Sequence, residues 1–85
     1  MSGSVAVTHH PQQQRFVIPW ENEQAELLYS LDLKEGKINF YRTYVPPNAR
    51  GQGLAKHLVE AGIEWAKTQG YVMQASCSYV QPFLK

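Results

Sequence analysis

The stretch "VPPNARGQGLAKHL", Val45 to Leu58, divides the chain into two kinds of pattern. Before it, apolar residues alternate. After it, they recur every three or four residues. Pro46 and Pro47 cannot donate backbone hydrogen bonds, so a strand that reaches Val45 stops there. Gly51 and Gly53 then sit beside Arg50, and a helical pattern starts at once. The first turn of a helix presents unpaired N–H groups and the positive end of the dipole. Glycine leaves the backbone open to a ligand, and arginine adds a fixed charge that bonds phosphate oxygens through two donors. The sum is an anion site, most naturally for a phosphate or pyrophosphate. The same glycines also suit a tight strand-to-helix connection with no ligand, and the residues alone leave both readings open.

Two commoner nucleotide loops are excluded. A Walker A loop needs Gly-Lys-Ser/Thr at its end, whereas Gly53 is followed by Leu54, Ala55 and Lys56. A dinucleotide fingerprint needs a third glycine where Lys56 stands, and a second βαβ half.

Upstream, "RFVIP" reads as a short strand stopped by Pro19. "QAELLYSLD" puts Ala25, Leu27, Tyr29 and Leu31 on one face. "LKEG" is a hairpin turn in which Gly36 takes positive φ. "KINFYRTYV" is a third strand. Strict alternation places Ile38, Phe40, Arg42 and Tyr44 on one side, and Asn39, Tyr41, Thr43 and Val45 on the other. Downstream, Leu54, Leu58, Ala61 and Trp65 form a helical stripe, widened by Val59, Gly62 and Ala66. Lys56, Glu60, Glu64 and Lys67 gather opposite, and Gly70 caps the end. "YVMQASC" returns to a strand with Met73, Ala75 and Cys77 on one face. Ser78 and Gln81 have the spacing of a capping box that would start a short terminal helix.

The expectation is a single small α+β domain: a mixed sheet of about four strands in the order β-β-β-α-β, with one main helix. The crossover makes the last two strands parallel. Residues 1–14 contain no Asp, Glu, Lys or Arg and read as a flexible tail, with the domain over 15–85. His9-His10, without a nearby carboxylate or thiol, is a poor metal pair, and no metal is expected.

Net charge is +1, with no basic run, so nothing points to nucleic acid. No stretch approaches the ~18 apolar residues of a membrane span. The single cysteine excludes an internal disulfide, and a cytoplasmic location is the default.

Arg50-Gly51-Gln52-Gly53-Leu54-Ala55 resembles the Arg/Gln-x-x-Gly-x-Gly/Ala signature of the GNAT superfamily of acyl-CoA-dependent N-acetyltransferases. The strand before it and the helix and strand after it agree. The small size and "ASCSYVQPFL" resemble the compact YjdJ-type branch. The resemblance implies acetyl-CoA as co-substrate, with Arg50, Gly51, Gln52, Gly53, Leu54, Ala55 and Lys56 around its pyrophosphate. It also implies a pantetheine arm beside Thr43, Tyr44 and Val45, with the Val45 amide polarising the thioester carbonyl.

Cys77 and Tyr79 are the candidate catalytic residues, with Tyr44 a rival acid. Cys77 precedes a helix start, which can lower a thiol pKa. In the branch it resembles, this cysteine is a candidate to carry the acetyl group, to protonate the departing thiolate or to line the channel. As a residue type it also simply packs. His57 reads as a helix-surface residue, and Trp20 and Trp65 as core or groove lining. Arg42 stands where the branch often has histidine, and arginine cannot act as a base. The function expected is acetyl transfer to an unidentified amine. The alternative is a non-catalytic CoA-binding module that regulates a protein partner. Oligomeric state is not readable.

Overall fold

A computed structural model describes residues 6–84. Five strands lie in chain order across one sheet: β1 (Thr8–His10), β2 (Arg15–Trp20), β3 (Glu23–Asp32), β4 (Lys37–Tyr44) and β5 (Val72–Ala75). The first four pair antiparallel and β4 pairs parallel with β5. The helix α1 (Leu54–Gln69) makes the crossover between them. Short 3-10 turns occupy Pro47–Ala49 and Gln81–Leu84. The expected α+β architecture and parallel final pair are present, with one strand more than the four expected. No helix among the described residues is long and apolar enough to cross a membrane.

The additional strand is β1, inside the stretch expected to be a flexible tail. Its residues 8–10 pair with 15–17 through a turn in which Gln14 takes φ 56°. The part of that tail over residues 1–5 lies outside the described residues. What holds β1 is His9, whose ring stacks on Phe16 at 4.0 Å and meets Trp65 edge-on at 4.4 Å. Its Nε2 also hydrogen-bonds the hydroxyl of fully buried Tyr29. A charge-free, glutamine-rich segment gives no periodic signal, so one aromatic anchor was invisible until its partners were in place.

Pro19 does not stop β2, which runs on to Trp20 with Pro19 opposite Gln24. β1 covers β2 only as far as Val17, so Pro19 has no strand on that side and breaks no ladder.

α1 covers one face of the sheet. Leu54, Leu58, Val59, Gly62 and Ala66 are buried against Phe16, Ile18, Ala25, Leu27, Tyr29, Ile38 and Phe40. Gly62 is needed for that approach. A Cβ there would stand 2.9 Å from Phe40 Cε1 and 3.0 Å from Leu27 Cδ2. Gly70, at φ 78°, ends the helix and donates its N–H to the Ala66 and Lys67 carbonyls.

The largest departure from the alternation read in the sequence is in β4. Tyr29 pairs with Phe40 but Leu28 pairs with Arg42, so Tyr41 is an extra residue, a bulge. One extra residue inverts every later side chain. Ile38 and Phe40 face the helix. Beyond the bulge it is Thr43, opposite buried Leu27, that faces it, while Arg42 and Tyr44 turn to the open face. The placement of Arg42 and Tyr44 with Ile38 and Phe40 is therefore corrected.

Candidate functional site

The site begins where β4 and β5 part. Phe40 and Ala75 are the last parallel pair. The Phe40 carbonyl then accepts both the Ser76 and Cys77 amides, at 3.1 and 3.2 Å. Asn39 reinforces this end: its Oδ1 accepts the Ser76 amide at 3.0 Å and its Nδ2 donates to the Ser76 hydroxyl at 3.0 Å. Beyond that point β4 continues to Tyr44 while the chain from Cys77 turns away, so a wedge opens along the edge of β4. Asn39 was not singled out in the sequence. Its position beside Ser76 arises only from strand pairing.

Cys77 stands at the narrow end of the wedge. Its Sγ lies 3.5 Å from Thr43 Oγ1. Burial pushes the thiol pKa up. The Thr43 hydroxyl and the backbone amides of Val80, Tyr79 and Thr43 push it down, and together they hold it below the ordinary value. A thiol with several aimed donors is suited to carry negative charge. The Thr43 amide is directed at Cys77, and Val45 follows the last residue of β4.

At the wide end lies the Pro46–Lys56 loop. Arg50 Nε donates to the Val45 carbonyl at 3.2 Å, which braces the loop against the end of β4. Gly51 and Gly53 adopt φ 87° and 75°, conformations that favour glycine. A Cβ at either would meet nothing within 4 Å, so the space before the loop is open. Gly53 caps α1 without a side-chain hydrogen bond, and no acidic residue occupies the first turn. Among the described residues, no backbone acceptor meets the amides of Gly51 to Lys56 outside the helix ladder. Leu54 anchors its side chain in the core and offers only its amide; Gln52 and Lys56 are exposed and Ala55 half-buried. These features fit a pyrophosphate, which needs convergent N–H donors and no competing anion.

The other candidates divide. Tyr79 is exposed, with its ring against Phe83. Tyr44 lies on the open face of the sheet and donates to Glu23 at 3.3 Å, turned from Cys77. His57 is exposed on α1. Trp65 and Trp20 pack on the core. His9 and His10 fall on opposite faces of β1, and among the described residues no three His, Cys, Asp or Glu side chains cluster. The capping box does not form. Gln81 Nε2 instead donates to the Ala75 carbonyl at 3.1 Å and ties the terminal turn to β5.

The chain is similar to known proteins of one family. The GCN5-related N-acetyltransferase family matches residues 15–85. Protein NATD1 of Xenopus tropicalis is 29% identical over 99% of this chain and 78% of its own length. Protein NATD1 of Mus musculus is 29% identical over 98% and 76%. The solution structure of a GCN5-like N-acetyltransferase candidate from Staphylococcus aureus superposes with a TM-score of 0.65. It is 26% identical and is matched over 99% of this chain and 80% of that one. With a family match over most of its length and a solved relative of the same fold, the chain belongs to the GCN5-related N-acetyltransferases.

Proposed function

We propose that the protein transfers an acetyl group from acetyl-CoA to an amine, with the co-substrate lying along the wedge. The observation that carries this reading is the alignment of two donor sets on one strand edge. The open amides of residues 51–56 lie past one end of the Tyr41–Val45 segment, and Cys77 lies at the other. A nucleotide pyrophosphate at the loop would leave its pantetheine arm to run back along β4 as an added strand.

In the reaction, the amine nitrogen attacks the thioester carbonyl carbon. A C–N bond forms and the C–S bond breaks. The nitrogen loses a proton, and the CoA thiolate takes one up. The Val45 amide is the donor for the developing oxyanion. Holding both reactants at one edge supplies much of the rate. Cys77, with its hydrogen-bonded thiol, is the proton donor to the departing thiolate. Tyr79 is its rival, in the same turn.

Calorimetric titration with CoA, followed by assay of CoA release from acetyl-CoA with a panel of amines, tests the reading. Heat on binding and amine-dependent CoA release are expected. No heat and no thermal shift would overturn it. Binding without turnover on any amine would favour a non-catalytic CoA-binding module.

A further inference from the structure

The open face of the sheet carries a feature that the transfer reading does not use. A shallow groove of about 280 Å³ is lined by Glu26, Leu28, Arg42 and Tyr44. We propose that this groove holds the acceptor, and that the acceptor is a small amine carrying a carboxylate. The inference rests on the acetyl-transfer reading for the word acceptor. The carboxylate site itself stands on the groove.

The charge of the groove favours an anionic group. The carboxylates of Glu26 and Glu23 already accept donors. Glu26 takes a 2.7 Å ion pair from Arg15 and a further donor from Gln24. Glu23 accepts the Tyr44 hydroxyl. Among the described residues Arg42 forms no ion pair, so the groove presents one free guanidinium. A guanidinium binds a carboxylate through two parallel hydrogen bonds, and Leu28 offers an apolar floor for a short carbon chain.

The groove also lies one residue along β4 from the contact with Cys77. Arg42 reaches this face only because the Tyr41 bulge inverts β4. Thr43, the next residue, faces the helix side and contacts Cys77. Consecutive strand residues are about 3.3 Å apart along the strand. The ladder to β3 is closed at this level, with Leu28 opposite Arg42 and Leu27 opposite Thr43. Among the described residues, the β4 edge that β5 leaves unpaired after Ala75 gives a way between the two faces at this level. A molecule anchored by its carboxylate on Arg42 can therefore extend its amine around that edge to the wedge. The groove's volume, at the lower end of ligand sites, suits a small metabolite rather than a protein segment.

The test uses N-acetyl-β-alanine, a product-like probe that needs no CoA, titrated into the 15N-labelled chain. Amide shifts are expected at Glu26, Leu28, Arg42 and Tyr44. They should disappear in Arg42→Gln, whose spectrum otherwise superposes on the wild type. N-propylacetamide, which lacks the carboxylate, should give none. No shift with the acid, or shifts that persist in Arg42→Gln, overturns the carboxylate site whatever the protein does with CoA. With acetyl-CoA present, β-alanine should be acetylated with kcat/KM about tenfold or more above propylamine, a preference that Arg42→Gln removes. Equal turnover of the two amines overturns the acceptor role. Failure of the transfer reading shows separately, as an absence of CoA binding or of turnover on every amine of the panel while the probe still shifts the groove amides.

Discussion

Thr43 and Cys77, 34 residues apart in sequence, meet across the wedge with 3.5 Å between Oγ1 and Sγ. The contact exists because the bulge at Tyr41 turns Thr43 towards the helix face and because β5 diverges just before Cys77. It makes the thiol's acidity depend on a residue of another strand.

Thr43→Val should raise the Cys77 pKa, since it removes a donor to the thiolate and leaves the backbone donors. A hydrogen bond to a charged group is worth about 1.5 kcal/mol, roughly tenfold in thiolate population at neutral pH. Intrinsic nucleophilicity rises as the thiol becomes more basic, with a Brønsted slope of about 0.5, so the net loss in alkylation rate is about threefold. The pH profile of iodoacetamide labelling, with mass detection, measures both effects. Thr43→Ser should restore the wild-type profile; an unshifted profile in Thr43→Val would sink the coupling.

Lys56→Glu should weaken CoA binding without unfolding the protein. Lys56 is exposed in the first turn of α1, where an introduced carboxylate would compete with the pyrophosphate for the helix N-terminus. Helix-end charge effects of about 0.5–1 kcal/mol, added to loss of the lysine, give roughly a fivefold to thirtyfold fall in affinity. Calorimetry against CoA decides it, and an unchanged affinity would remove the loop from the binding site.

Gly62→Ala should destabilise the fold despite better helix propensity. Alanine gains about 1 kcal/mol in a helix interior. Forcing a methyl to within 2.9 Å of the buried Phe40 ring costs about 1–3 kcal/mol by overpacking. The packing term is the larger, so a net loss of about 1 kcal/mol is expected in urea denaturation, and more for Gly62→Val. A variant more stable than wild type would show that the helix can lift off the sheet cheaply.

Acid should loosen β1. Burial, then the neighbouring His10, lowers the His9 pKa from 6.5. The folded state therefore binds fewer protons than the unfolded chain, and the stability His9 contributes is present above pH 6.5 and lost as pH falls below it. Around it stand the Tyr29 hydroxyl, held at about 12 by burial and Tyr71, and the uncharged rings of Phe16 and Trp65. Thermal melts at pH 7.5 and 5.5 should show a decrease that His9→Phe reduces. A decrease of equal size in the variant would assign it to other groups.

Much of the architecture is local and was readable. Pro46-Pro47 and the glycines of the loop act on their own φ and on missing donors, so the strand end and helix start needed no partner to be placed. The stripe from Leu54 to Ala66 and the cap at Gly70 follow from helical periodicity. The loop's suitability for an anion follows from the same local geometry.

What depends on pairing between distant segments was not readable. Alternation along "KINFYRTYV" is unbroken in sequence, and only the register against β3 reveals Tyr41 as an extra residue. That one residue decides that Thr43 meets Cys77 and that Arg42 and Tyr44 face the open groove. In the same way His9 becomes a structural residue only when Phe16, Tyr29 and Trp65 assemble around it. The sequence by itself determined β2 to β5, the main helix, their order and the glycine turn before that helix, because backbone conformation there is set by adjacent residues. The tertiary structure decided which side chains share a face, because a bulge is a relation between two strands.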